Sequence, residues 1–211
     1  MPSANPVPSI FVASSNPGKI TELQLGARLW SEGAGKVLNW ELVFLPEFDH
    51  IPQSPEDQGS FAANAAQKAL HYSRHTSAMV LADDSGLEVD WLGGAPGIFS
   101  ARFAGPLATD QDNNRKLLLQ MCAVPPEKRT ARFVCELALA QYGKLLAQFR
   151  GVAEGVILES ERGRGGFGYD PLFFDPQIGR TFAELTPAEK LARSHRGRAL
   201  RALLEWLAAQ E

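Results

Sequence analysis

Apolar positions along this chain alternate between two periods, one suited to strands and one to helices. Ile10 to Ala13 is a short apolar run that predicts a first strand. The polar stretch Ser14-Ser15-Asn16-Pro17-Gly18 predicts a turn, and Ile20, Leu23, Ala27 and Trp30 then repeat at helical spacing over Lys19 to Trp30. Trp40 to Leu45 predicts a second strand, Pro46 to Gly59 an acidic, Pro-rich loop, and the Ala-rich segment Phe61 to His75 a helix. Met79 to Ala82 returns as a buried strand that stops at Asp83-Asp84, with Ser85-Gly86 as the turn after it.

Beyond the Gly/Pro-rich stretch Gly93 to Gly105, Thr109 is positioned to cap a helix running to about Cys122, with Asp112 at the capping-box position. Pro125-Pro126 closes that section. Arg132 to Gln141 and Lys144 to Val152 predict a hairpin turning at Tyr142-Gly143, and Gly155 to Glu159 predicts another strand. A loop from Ser160 to Pro171 precedes Leu172-Phe173-Phe174, and a helical pattern from Thr186 to Gln210, broken near Ser194-His195, ends the chain. Helices and strands alternate early, strands then follow one another, and helix comes last. That order predicts an α/β sheet that is mixed rather than purely parallel.

With 211 residues, 45% of them hydrophobic, the chain can bury a good core as one domain or as two small lobes sharing a sheet. The 21 basic and 24 acidic residues leave a net charge of −3, so the field of the whole molecule does not favour a polyanion. Any phosphate binding must be local, and no stable nucleic-acid partner is expected. The N-terminal segment lacks a basic start and its longest apolar run is far too short for a signal or spanning helix, so a cytoplasmic protein without a membrane partner is expected. Cys122 and Cys135 are too few for a disulfide framework and are expected to be buried small hydrophobes.

Several polar groups fall where packing does not require them. Asp83 and Asp84 sit at a strand end, where a hard metal ion can be held, although Asp and Gly also favour such turns for backbone reasons alone. Successive side chains on a strand face opposite ways, so the two carboxylates should have different roles. Ser14 to Lys19 lies between strand and helix, where free backbone N–H groups and a lysine can hold a phosphate; alone, an Asn-Pro-Gly turn explains it as well. Glu56-Asp57 precedes a helix carrying Asn64 and Lys68 at i and i+4, which as an isolated feature reads as a solvated loop and surface helix. His71 and His75 share the same spacing but lack a third zinc ligand.

Gly163 to Gly168 matches GxGxxG literally, yet Pro171 disfavours helix at Asp170 and no helical pattern follows, so it is not a dinucleotide fingerprint. A glycine-rich loop with Phe167 and Tyr169 suits the close approach of a planar ligand, with one of the two rings stacking on it. Lys190, His195, Arg196, Arg198 and Arg201 follow in a basic run, of which His195-Arg196 falls at the expected helix break.

Five segments together closely resemble the inosine triphosphate pyrophosphatase family. They are Ser15-Asn16-Pro17-Gly18-Lys19, Ala82-Asp83-Asp84-Ser85-Gly86-Leu87, Leu92-Gly93-Gly94-Ala95-Pro96-Gly97, Gly165-Gly166-Phe167-Gly168-Tyr169-Asp170-Pro171 and Ser194-His195-Arg196, in order across almost the whole chain. The resemblance implies one nucleotide pyrophosphatase domain over residues 1–211, an elongated two-lobed α/β fold about a long mixed sheet, an active-site cleft between the lobes, and a homodimer. It implies Mg²⁺-dependent hydrolysis of noncanonical purine nucleoside triphosphates (ITP, dITP, XTP) to monophosphate and pyrophosphate.

Carried onto this chain, the family pattern makes Ser14, Ser15, Asn16, Pro17, Gly18 and Lys19 the phosphate-holding loop. Asp84 becomes the metal-bound proton acceptor, Ser85 a substrate contact, and Lys68 a phosphate-binding, catalytic lysine beside Lys19. Phe167, Gly168, Tyr169, Asp170, Lys190, His195 and Arg196 surround the base, and Glu56, or Asp57 in its place, is the second metal ligand. One departure stands out: the family's Phe-x-Glu-Asn-Ala is here Phe61-Ala62-Ala63-Asn64-Ala65, so a carboxylate expected at position 63 is missing. A triphosphatase of other base specificity would keep the metal site and differ around the base. A nucleotide- or RNA-binding module would rely on the basic run and need no acidic site.

Overall fold

A computed structural model of the chain describes residues 8–35, 39–56 and 58–210. Asp57, the alternative second metal ligand, therefore lies outside the described residues. The elements in order are β1 (Ser9–Ala13), α1 (Pro17–Ala34), β2 (Glu41–Phe44), α2 (Phe61–Tyr72), β3 (Met79–Val89) and α3 (Asp110–Gln120). They continue through β4 (Thr130–Gln141), β5 (Lys144–Ile157), β6 (Phe173–Asp175), β7 (Arg180–Thr181), α4 (Pro187–Arg193) and α5 (His195–Ala208). Among the described residues, seven strands form one sheet in the order β2-β1-β3-β4-β5-β6-β7. Strand β1 is parallel to β2 and β3, whereas β6 is antiparallel to β5 and β7, so the sheet is mixed, as the element order predicts.

The chain divides into two compact units, one of Met1–Asp83, Leu137–Phe149 and Leu200–Glu211, the other of Asp84–Glu136 and Arg150–Ala199. One of the four places where the chain passes from one unit to the other is the peptide bond between Asp83 and Asp84. The first unit has a core of Ala13, Leu45, Ala65, Ala69, Tyr72, Val80 and Ala82 with Ala138 and Ala140; its small residues let α2 lie close to the sheet. The core of the second is more aromatic, with Phe133, Phe173 and Phe182 packed ring to ring around Leu87, Leu117, Met121 and Tyr169.

Several elements depart from the sequence expectation, each for a local reason. Strand β3 does not stop at Asp83 but runs on to Val89, so Asp83-Asp84-Ser85-Gly86 is extended chain and not a turn. Gly86 allows this because a Cβ there would collide with Ser100 Oγ and lie 2.6 Å from the Gly97 carbonyl oxygen. The last β1 partner of β3 is Ala82, opposite Ala13, so the carboxylates begin where the parallel neighbour ends. Likewise, Gly155 to Glu159 is not a separate strand: β5 continues to Ile157, and the bare Gly155 leaves room for the Phe173 ring. The short β7 has too little pattern to predict. The hairpin turn at Tyr142-Gly143 is as expected, both residues taking positive φ, 51° and 71°. Cys135 is buried but Cys122 is exposed, contrary to expectation, because it follows the last turn of α3.

Candidate active site

In the first unit the chain leaves β1 and enters α1 through Asn16, whose side-chain oxygen accepts hydrogen bonds from Gly18 N at 2.9 Å and Lys19 N at 3.2 Å. Ser14 Oγ accepts from Asn16 N, and Pro17 occupies the first helical position, where a missing N–H matters least. The expectation of free backbone amides is thus corrected. Pro17 has none, and those of Gly18 and Lys19 are satisfied by Asn16. What this loop presents is the positive end of the helix and the Lys19 side chain, whose Nζ is ion-paired with the fully buried Asp83 carboxylate.

The second lysine of this unit is also paired. Lys68 Nζ lies 2.5 Å from Glu56 Oε1 and donates to the Asp83 carbonyl oxygen at 3.4 Å. Asn64 is no surface residue: it is wholly buried, and its Oδ1 accepts from Gln58 N at 2.9 Å, fastening the acidic loop to α2. Helix α2 begins with Ser60 as its cap, whose hydroxyl accepts from Ala63 N. Ala63 is therefore the third helical residue, the place from which a Glu would reach back to complete a capping box.

In the second unit Asp84 lies on β3 with 6% of its surface exposed, followed by Ser85. Arg196, at 1% exposed, donates from Nη2 to Ser85 Oγ at 2.8 Å. Its guanidinium carbon is 5.6 Å from the Phe167 ring centre, and Lys190 Nζ stands over the same ring at 4.6 Å. Asp170 organises this group: its Oδ2 is 2.5 Å from Lys190 Nζ and accepts from Phe167 N at 2.9 Å. Gly166, with φ of 71°, permits that turn, since a Cβ there would strike the Asp170 carboxylate.

His195 is buried and stacked on Phe133, with ring centres 4.7 Å apart. The expected helix break is real, with Ser194 separating α4 from α5 and its hydroxyl accepting from Gly197 N at 3.1 Å. Of the two candidate stacking rings, Tyr169 belongs to the core: it is 4% exposed, and its hydroxyl donates to the Ser100 carbonyl oxygen at 2.9 Å. Burial, and secondarily the Asp110 charge, pushes its phenol above the ordinary value. Phe167 is the aromatic that remains partly exposed.

Sequence reasoning missed Ser100, Asp110 and Asn114. Ser100 Oγ accepts from Leu87 N at 2.9 Å and donates to the Gly97 carbonyl oxygen at 2.6 Å, tying β3 beside Ser85 to the segment that holds Tyr169. Asn113 and Asn114, adjacent in α3, are both about 3% exposed. That pair was a readable signal, because Asn is a poor helix former and is placed inside a helix when its amide is needed there.

Buried charged residues held in specific pairs, on a mixed sheet with a capped helix N-terminus at the carboxyl end of β1, define an α/β protein with the architecture of a small-ligand enzyme. The profile of the Ham1 family matches residues 10–206. The chain belongs to the Ham1 family. It is 46% identical over 198 residues to a dITP/XTP pyrophosphatase of Desulforamulus reducens, covering 94% of each chain. It is 47% identical over 197 residues to a dITP/XTP pyrophosphatase of Thermus thermophilus, covering 93% of this chain and 90% of that one. Among solved structures, a Ham1 protein from Coxiella burnetii superposes with a TM-score of 0.83 at 40% identity, over 96% of this chain and 99% of that chain. The Staphylococcus aureus Ham1 protein gives 0.82 at 32% identity, over 96% and 100%.

Proposed function

We propose that this chain hydrolyses noncanonical purine nucleoside triphosphates, dITP, XTP and ITP, to the monophosphate and pyrophosphate. The observation that carries this reading is the near full-length similarity to dITP/XTP pyrophosphatases, together with Lys19, Glu56, Lys68, Lys190 and Arg196 in the paired settings described above and the buried Asp84 on β3. Lys19 and Lys68 supply fixed positive charge for the triphosphate. Phe167, flanked by Lys190 and Arg196, serves the base. Both cations are donors only, so they suit the O6 acceptor of hypoxanthine or xanthine and not the 6-amino donor of adenine.

Glu56 and Asp84 are the carboxylates assigned to Mg²⁺. Among the described residues no three His, Cys, Asp or Glu side chains gather as a metal cage. A donor set of one or two carboxylates, completed by substrate phosphates and water, is what Mg²⁺ uses, whereas zinc and calcium prefer fuller protein shells. When bound, the ion neutralises charge on the departing pyrophosphate. The chain's own residues do the rest. Asp84 takes a proton from the attacking water as the water oxygen bonds to the α-phosphorus; the bond from that phosphorus to the bridging oxygen breaks, and pyrophosphate leaves with the electron pair.

A cytoplasmic location and a homodimer belong to the same proposal. Among the described residues no helix is long and apolar enough to cross a membrane. Pyrophosphate release from dITP, ITP, XTP, GTP and ATP, with and without Mg²⁺, tests the reading. Release from the first three well above the last two is expected, and equal rates on all five would overturn it.

A further inference from the structure

The segment carrying Phe167 is hydrogen-bonded to α3. Gly168 N donates to Asp110 Oδ2 at 2.7 Å, and the Gly168 carbonyl oxygen accepts from Asn114 Nδ2 at 3.2 Å. Asp110 and Asn114 are four residues apart, so one face of the helix grips both polar groups of a single peptide residue. The same Asn114 amide donates to Glu161 Oε1 at 3.1 Å, at the start of the glycine-rich segment. Both partners of Nδ2 are acceptors, so a flipped amide would set oxygen against oxygen. The observed orientation leaves Asn114 Oδ1 buried with no hydrogen-bond partner. Gly168 has φ of 61°, a conformation that a non-glycine residue rarely holds, and nothing lies within 4 Å of the place its Cβ would occupy. Gly168 has no side chain to pack there, and its N–H and carbonyl are both hydrogen-bonded to α3.

We infer that Asp110 and Asn114 are positioning residues for base selection: by clamping Gly168 they fix where the neighbouring Phe167 stands, and so set purine discrimination without touching the nucleotide. This rests on the functional reading above for what Phe167 faces, but not for the clamp itself. The other contacts hold Phe167 itself, through the Asp170 carboxylate to its N–H, the Asp170 amide to its carbonyl oxygen at 3.3 Å, and Lys190 and Arg196 to its ring. Releasing Gly168 removes the restraint on the residue that follows Phe167 in the chain. The expected signature is weaker and less selective binding with the chemistry at Asp84 intact.

The test compares wild type with Asp110→Ala, Asp110→Asn and Asn114→Ala, in steady-state kinetics on ITP and ATP and in hydrogen exchange of residues 163–170. Asp110 is exposed, so its variants are expected to fold. Asp110→Ala should raise KM for ITP about tenfold, the usual scale for losing one charge-assisted hydrogen bond, with kcat within about twofold. Its preference for ITP over ATP should shrink, and exchange in 163–170 should quicken. Asp110→Asn keeps an acceptor oxygen and should restore both KM and protection, while Asn114→Ala should behave as Asp110→Ala does. Wild-type exchange rates and an unchanged ITP:ATP ratio in both alanine variants would overturn the inference. A wild-type enzyme that releases pyrophosphate from neither purine would overturn the functional reading instead, and the exchange comparison would still decide the clamp.

Discussion

Arg196 reaches Ser85 across 111 residues of sequence, donating to its hydroxyl at 2.8 Å from a side chain that is 1% exposed. A guanidinium so buried needs polar partners, because desolvation of a charge is offset only by hydrogen bonds or counter-charge. The bond therefore ties the start of α5 to the residue following Asp84. Ser85→Ala should destabilise the fold by about 1–3 kcal/mol, the range for withdrawing a partner from a buried charged donor. Urea denaturation measures it. Arg196→Lys keeps the charge but loses the planar fork, and is expected to fail in substitution for the same reason. A wild-type midpoint in Ser85→Ala would show that the hydroxyl contributes nothing to holding Arg196.

Asp83 and Asp84 are adjacent yet should respond differently to substitution. Asp84→Asn keeps the shape of the side chain and removes the proton acceptor, so it should fold normally and lose about a hundredfold to ten-thousandfold in turnover. The carboxylate of Asp83 is fully buried and ion-paired with Lys19. Removing Lys19 takes the ion-pair partner from a buried charge, a loss that typically costs about 3–5 kcal/mol. Lys19→Ala should therefore lower stability as well as activity, whereas Asp84→Asn should lower activity alone. Thermal melts alongside pyrophosphate release separate the two, and a destabilised Asp84→Asn would contradict the division of roles.

The fold was legible in the sequence wherever periodicity or capping chemistry speaks locally. Thr109 and Asp112 form the expected capping box, Tyr142-Gly143 the expected turn, and Ser194 the expected break. The failures have a common cause in long-range contact. Nothing local announces that β3 passes through Asp-Asp-Ser-Gly, because the need for a bare Gly86 comes from Ser100 and Gly97, which crowd it from another segment. The amides at the start of α1 look available from sequence and are taken by Asn16. For the candidate site, the family resemblance singles out Lys68, Lys190 and Arg196, but nothing local names the partners they have in the fold. Tyr169 is aromatic and neighbours Phe167, and only the tertiary packing separates a core ring from one that faces outward.

Position 63 bears on what the missing carboxylate would do. Helices α3 and α4 begin with complete capping boxes, Thr109 with Asp112 and Thr186 with Glu189, whereas α2 has the Ser60 half only and no acidic residue in its first turn. A Glu at the third helical position completes such a box and suits the helix dipole. Ala63→Glu should therefore stabilise the protein by about 0.5–1 kcal/mol, visible as a rise in Tm of about 2–4 °C per kcal/mol at this chain length. The Mg²⁺ concentration giving half-maximal activity should not move. A lowered requirement for the ion would instead make position 63 part of the metal site.

The carboxylates of these boxes, and of a third formed by Thr181 and Glu184, also set how stability depends on acid. Glu189 ordinarily titrates near 4.5 and is held down to about 2, first by the Arg180 guanidinium and then by the Thr186 amide and hydroxyl. Glu184 is lowered in the same way by the Thr181 amide and Arg162, and Asp112 by the Thr109 hydroxyl and amide. A carboxyl whose folded pKa lies below its unfolded value binds fewer protons in the native state, so it adds stability above the unfolded pKa and loses it as pH falls through the folded one. For Glu189 that window runs from about 4.5 to about 2. Lys190, the partner of Asp170, is the next residue on α4, so loosening this cap loosens the residues beside Phe167. Melting temperature followed from pH 6 down to about 2.5 should fall more steeply for wild type than for Glu189→Gln, whose neutral side chain cannot titrate, so the two curves should converge at low pH. Parallel curves across that range would remove Glu189 as a source of acid sensitivity.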